Sequence, residues 1–154
     1  SRFGVQPCVR VHSGRILANG GSILYLILKD FDPKTVGAYA DPMHMTVEGG
    51  LSGWEMGLDL IAPWVSLVGV KNFHWQPNGR DQHGQAQFRP VYVPLADGQA
   101  PLPRFVSRLK ELKYDGTVSL HSEYKGRSSF RSLSSPELLD QSATDLKYFK
   151  GLAR

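Results

Sequence analysis

Four of the five histidines, His12, His44, His74 and His121, fall at or just after an apolar run that reads as a strand. The acids Asp41 and Glu123 stand beside two of them. Such runs, alternating with helices, form parallel sheets whose carboxyl ends carry the functional groups of the fold. Titratable side chains gathered at those ends point to a site, where scatter would not. Lys71 ends a further apolar run, and a lysine there needs an anion or solvent. His121 and Glu123 are two residues apart, so on extended backbone they face the same way. Plainer roles stand beside these: Asp41 before Pro42 suits a turn, His44 a loop histidine bonded to a backbone carbonyl, and His12 a polar cap on a strand end.

The elements that must position these groups are legible from periodicity. Strands are predicted over 5–11, 36–40, 65–70 and 116–120, the third being the most continuously apolar. Helices are predicted over 22–29, over 52–61 with Ser52 as cap and Pro63 as stop, over 102–112, and from Pro136 through Phe149. Residues 72–100, rich in Gly, Gln and Asn, read as a long polar loop, a length that is usually functional or disordered. Trp54 and Trp64 read as core. Four successive strand–helix units predict an α/β fold with parallel strands in sequential order and helices over one face.

At 154 residues the chain suits one domain over 1–154 with a real core. No apolar run is long enough to span a bilayer, so no membrane partner is expected. Cys8 is the single cysteine, which excludes an internal disulfide and fits a reducing, cytoplasmic setting. The first residues lack a signal-peptide pattern, and the missing initiator Met suggests an excised or processed chain. Net charge is +4, but the basic residues are dispersed apart from a loose cluster of Lys125, Arg127 and Arg131. Nucleic acid is therefore not an expected partner, and Arg127 and Arg131 read as a solvated loop.

Three stretches together carry a family resemblance. Asp41-Pro42-Met43-His44 is similar to the Asp-x-x-His after the sixth strand of sugar phosphate isomerases/epimerases in the xylose isomerase-like TIM-barrel superfamily. The run from Val70 through Lys71, Asn72, Phe73 and His74 to Trp75 resembles the Val-Lys-Asp-Phe segment after the seventh. Pro94-Leu95-Ala96-Asp97-Gly98, Pro103-Arg104-Phe105 and the run from Tyr114 to Tyr124 resemble a Pro-Leu-Gly-x-Gly, helix, Gly-Tyr-x-Gly-x-Val-Ser-Leu-His-x-Glu-Tyr pattern of the same family. The resemblance covers nearly the whole chain. It implies half of a (β/α)8 barrel, strands five to eight, with two sheet edges left for a missing amino-terminal half-barrel or a second copy to cover.

The resemblance also implies a divalent metal, Mn, Mg or Zn, that binds the oxygens of a ketose while carboxylates move a proton beside the carbonyl. Its acidic ligand on strand five falls on Arg10, and its strand-seven His on Gly69, so two of four ligands are lost. Asp41, His44, His121 and Glu123 remain as metal candidates, and divalent binding is expected to be weak or absent unless these or the missing half compensate. Glu123 is then the proton-transfer candidate, with Lys71 on the enediolate oxygen and His44 assisting. Arg10, His12, His121 and Trp75, a candidate wall for a sugar ring, are the expected substrate contacts. The first expectation is an isomerase or epimerase acting on a sugar, sugar phosphate or sugar-like ketose. The alternatives are a non-catalytic carbohydrate-binding relative in which Arg10 replaces the metal's charge and, third, an abasic-site endonuclease-like protein.

Overall fold

Described over residues 3–154, the computed structural model runs β1 (Cys8–Arg10), α1 (Gly20–Leu28), β2 (Gly37–Ala40), α2 (Pro42–Ile61), β3 (Val65–Val70), β4 (Asn72–Arg80), β5 (Ala86–Val93), α3 (Leu102–Glu111), β6 (Thr117–Leu120) and α4 (Ser135–Ala153). These divide into two compact units, Ser1–Val70 with Pro101–Leu120, and Lys71–Ala100 with His121–Arg154. No helix among the described residues is long and apolar enough to cross a membrane.

The first unit is a four-stranded sheet in the order β1-β2-β3-β6, every pairing parallel. Parallel neighbours require crossovers, and α1, α2 and α3 supply them. This is the sequential parallel order that the alternation predicts. Helices α1 and α2 pack on β2 and β3, burying Leu24, Leu28, Met43, Trp54, Leu58 and Ile61. Trp54 lies 5.9 Å from Phe105 of α3, ring centroid to ring centroid. Arg104 of α3 pairs with Glu55, and Arg108 Nε donates to Asp59 Oδ1 at 2.7 Å, so charged pairs from α3 to α2 flank that apolar seam.

Two boundaries differ from expectation for identifiable reasons. Helix α2 begins at Pro42, ten residues before Ser52, because the Asp41 carboxylate caps it and proline suits its first turn. The span is two helical segments joined at a kink: Gly50 has φ 65° and ψ −158°, a backbone conformation that glycine tolerates. His44 is therefore a helical residue in the first turn and not a loop histidine. Strand β1 is three residues long, shorter than the predicted 5–11.

The second unit corrects the predicted long loop. Residues 72–100 form an antiparallel hairpin of β4 and β5 followed by a short 3-10 turn at Leu95–Asp97. Asp81 organises the hairpin tip: its Oδ1 accepts from His83 N and Gln85 N, both at 2.9 Å, and Gly84 adopts φ 80°. Pro77 and Pro90 are tolerated because each strand has a neighbour on one side only within this ribbon. Asn72 ties the hairpin base to the following turn, donating to Leu95 O at 2.8 Å and accepting from Ala100 N at 2.8 Å. Asp145 of α4 is buried and accepts from Leu95 N at 3.0 Å and from the Tyr124 hydroxyl. Every one of these buried polar groups is satisfied, as interiors require.

Close packing of α1 on α2 depends on paired glycines. A β-carbon at Gly21 would lie 2.5 Å from the Gly57 backbone, whereas one at Gly53 would meet nothing within 4 Å. Gly21→Ala is expected to destabilise the protein by about 1–3 kcal/mol through overpacking. Gly53→Ala is expected to be neutral or to stabilise by about 0.5–1 kcal/mol through reduced backbone entropy. Urea denaturation of both variants checks the contrast.

Candidate functional site

Each strand of the parallel sheet is followed within two residues by a candidate: His12 after β1, Asp41 after β2, Lys71 after β3, His121 after β6. In the first unit these form a cluster around a carboxylate with no solvent exposure. Asp41 Oδ1 accepts from Met43 N at 3.1 Å and His44 N at 3.3 Å. Its Oδ2 accepts from Arg10 Nη2 at 3.0 Å, and the Arg10 guanidinium lies 5.1 Å from the centre of the Tyr39 ring. His44 Nε2 is 3.7 Å from the same Oδ2. Its Nδ1 lies 2.9 Å from Ser13 Oγ, and its ring stacks on His12 with centroids 3.9 Å apart.

Of the candidate residues, Arg10, His12, Asp41 and His44 thus lie beside one another in the first unit, while Lys71, His121 and Glu123 belong to the second. It missed Ser13, Tyr39 and Glu48. Glu48 accepts from Gly14 N at 2.7 Å and fixes the loop that carries Ser13. Glu48 sits one turn beyond His44, a relation visible only once α2 is known to start at Pro42.

In the second unit Lys71, almost fully buried, donates to Glu123 Oε1 at 2.7 Å and lies 4.8 Å from the centre of the Tyr92 ring. His121 Nδ1 is 3.9 Å from that same Glu123 oxygen. Burial pushes the Glu123 carboxyl up, but the hydrogen bond and charge of Lys71, with His121 and Tyr92 helping, outweigh it and hold the group below the usual carboxylate range. Tyr92 was missed because it falls on a strand inside the supposed loop. Trp75 lies within β4 rather than at a strand end, 43% exposed and edge-on to Phe73. His74 is likewise within β4. Arg127 and Arg131 are exposed, and Arg131 donates to Glu137 at 2.8 Å.

These donors do not fit a resident divalent ion. Asp41 is occupied by two helix amides and a guanidinium, and Glu123 by an ammonium, so a metal at either carboxylate must displace a cation already in place. Among the described residues, no three His, Cys, Asp or Glu side chains come together in a way that could hold a metal. Gly69 contributes no side chain to β3.

The Lys71–Glu123 pair generates a pH prediction. Because the folded carboxyl is depressed, its stabilising contribution is present above the unfolded value of about 4.3 and is lost as pH falls through the folded value. Lys71→Met is expected to raise the Glu123 midpoint, since the first of the lowering influences disappears while burial remains. Carboxyl-carbon NMR titration of wild type and variant reads that shift; an unchanged midpoint would show that Lys71 does not set it.

No protein-family model matches the sequence, and no curated protein matches it. Solved structures do. A xylose isomerase domain protein from Planctomyces limnophilus matches over 94% of this chain and 44% of its own, at 19% identity and TM-score 0.62. A D-psicose 3-epimerase from Clostridium cellulolyticum H10, solved with D-tagatose, matches over 96% and 49%, at 14% identity and TM-score 0.67. A xylose isomerase-like TIM-barrel protein from Mycobacterium smegmatis, solved with magnesium, matches over 99% and 46%, at 15% identity and TM-score 0.64. The chain spans about half the length of these structures. In fold, it is a partial TIM barrel of the kind found in xylose isomerase-like proteins and sugar epimerases.

Proposed function

We propose that this chain supplies the carboxy-terminal half of a barrel that binds a sugar or sugar-like ketose and moves a proton beside its carbonyl, as an isomerase or epimerase does. The observation that carries the reading is the Lys71–Glu123–His121 cluster. Glu123, kept ionised, takes the proton from the carbon next to the carbonyl. The C–H electron pair becomes the new C=C bond, and the carbonyl π electrons move onto oxygen, where the Lys71 ammonium meets the negative charge. Return of the proton to the former carbonyl carbon, with the hydroxyl proton of the neighbouring carbon passing to the enediolate oxygen as the new carbonyl forms, gives the isomer. Protonation of the first carbon on its opposite face, by a donor other than Glu123 such as water, gives the epimer. His121 passes the proton on. Trp75, in the same unit as this cluster, offers a ring face to a sugar. In the first unit, Arg10, His12 and His44 offer groups that bind a hydroxyl or an anion. Since the donors do not suit a divalent ion, no step is assigned to one.

A second reading has its own support. A carboxylate held below its usual range is a weak base, and Asp41 is equally neutralised by Arg10. That arrangement suits a carbohydrate-binding protein without turnover.

The deciding measurement is turnover of a ketose panel by the full-length protein in heavy water, following deuterium incorporation next to the carbonyl. Glu123→Gln is expected to lower kcat by about 100- to 10,000-fold with little change in KM. Lys71→Met is expected to lower kcat as well. Turnover unaffected in both variants rejects these roles; saturable sugar binding with no deuterium incorporation selects the binding protein.

A further inference from the structure

We propose that one face of the β4–β5 ribbon binds a flat apolar ring, so that the ligand of this chain is a sugar carrying such a group rather than a bare sugar. In the ladder Phe73 stands opposite Tyr92, Trp75 opposite Pro90 and Pro77 opposite Phe88. Opposed residues share a face, and so do alternate residues along a strand. These residues therefore form one face of aromatic rings and prolines, while Gln76 and Arg89, hydrogen-bonded to each other at 2.7 Å, lie on the reverse. The inner end of the apolar face meets the cluster already described, since Lys71 Nζ is 4.8 Å from the centre of the Tyr92 ring. Phe73 and Trp75 continue it outward, edge to face with centroids 5.6 Å apart. The outer end is open: Trp75 and Phe88, 43% and 58% exposed, line one shallow hollow.

Two properties select the occupant. The exposed ring surface amounts to about 150–250 Å², against about 800 Å² that each partner of a stable protein complex contributes. A second copy or another protein finds too little to hold, whereas a single ring is covered by it. Sites that orient a sugar need polar groups to fix its hydroxyls. On this face only Tyr92 carries one, and it lies at the inner end with Glu123. Beyond Trp75 the ribbon offers contact to carbon alone, which suits an aromatic ring stacked offset or edge-on. That the sugar part reaches Lys71 and Glu123 rests on the proposed function. Binding on the ribbon is measured without turnover, so the two fail separately.

The test follows the indole N–H resonances of the full-length protein by NMR during titration with β-naphthol, and separately with cellobiose. β-Naphthol is expected to shift the Trp75 resonance saturably. Those of Trp54 and Trp64, whose indole nitrogens donate to Leu51 O and Phe31 O, are expected to stay in place. Phe88→Ser is expected to weaken the binding about 3- to 10-fold, and Phe88→Tyr to retain it. Nuclear Overhauser contacts from naphthol protons to the Phe88 ring of wild type are expected as well, and need no variant. An unmoved Trp75 resonance, or binding indifferent to Phe88→Ser, would overturn the proposal. So would a Phe88-dependent shift with cellobiose, which would make the face a platform for a second sugar. A Trp75 resonance that moves on dilution of the protein alone would make it a contact between copies and overturn the proposal equally.

Discussion

Burial of the Asp41 carboxylate is the constraint from which the first unit is organised. A desolvated carboxylate is tolerable only with hydrogen bonds and a counter-charge, and it obtains both from different parts of the chain. The amides of Met43 and His44 come from the helix it starts, and the guanidinium comes from the neighbouring strand. One side chain thereby fixes where α2 begins, how β1 and β2 are related at their carboxyl ends, and which way the first helical turn presents His44. The helix N-terminus adds its own partial positive charge to the same end. The pairing is both a structural joint and the centre of the cluster.

The second unit repeats the principle with a lysine. Lys71 stands at a position where the preceding strand is apolar and the side chain has little access to water, and Glu123 supplies its anion. Tyr92 places its ring beside the ammonium, so the cation is compensated by a charge and by an aromatic quadrupole together. In both units the acids that sequence marked as ligands are bound by cations of the same chain.

The parallel sheet was legible because buried strands announce themselves as apolar runs, and the runs ending at Arg10, Ala40, Val70 and Leu120 were flanked by helical periodicity. The residues after those runs were legible for the same reason. What escaped was conformation set by single side chains. Asp41 before Pro42 reads as a turn residue, whereas its carboxylate caps α2 and extends that helix back over His44. A helix read from Ser52 also leaves out the segment before the kink at Gly50, whose positive φ joins two helical segments. The β4–β5 hairpin was hidden by the Gly, Gln and Asn content of residues 72–100, polar residues that an exposed two-stranded ribbon accommodates as readily as a loop. Tyr92 and its contact with Lys71 disappeared along with the hairpin.

The hairpin also lengthens one connection much more than the others. Strands β3 and β6 are neighbours in the sheet, yet the chain between them makes the whole excursion through β4, β5 and α3 before returning. Closure entropy grows only logarithmically with loop length, about 0.6 kcal/mol for each doubling, so the finished sheet bears little penalty for the detour. Time is another matter, because pairings distant in sequence form late. The β1-β2-β3 ladder, joined by short helical crossovers, is the natural early partner set, with β6 closing last onto an edge that has waited for it.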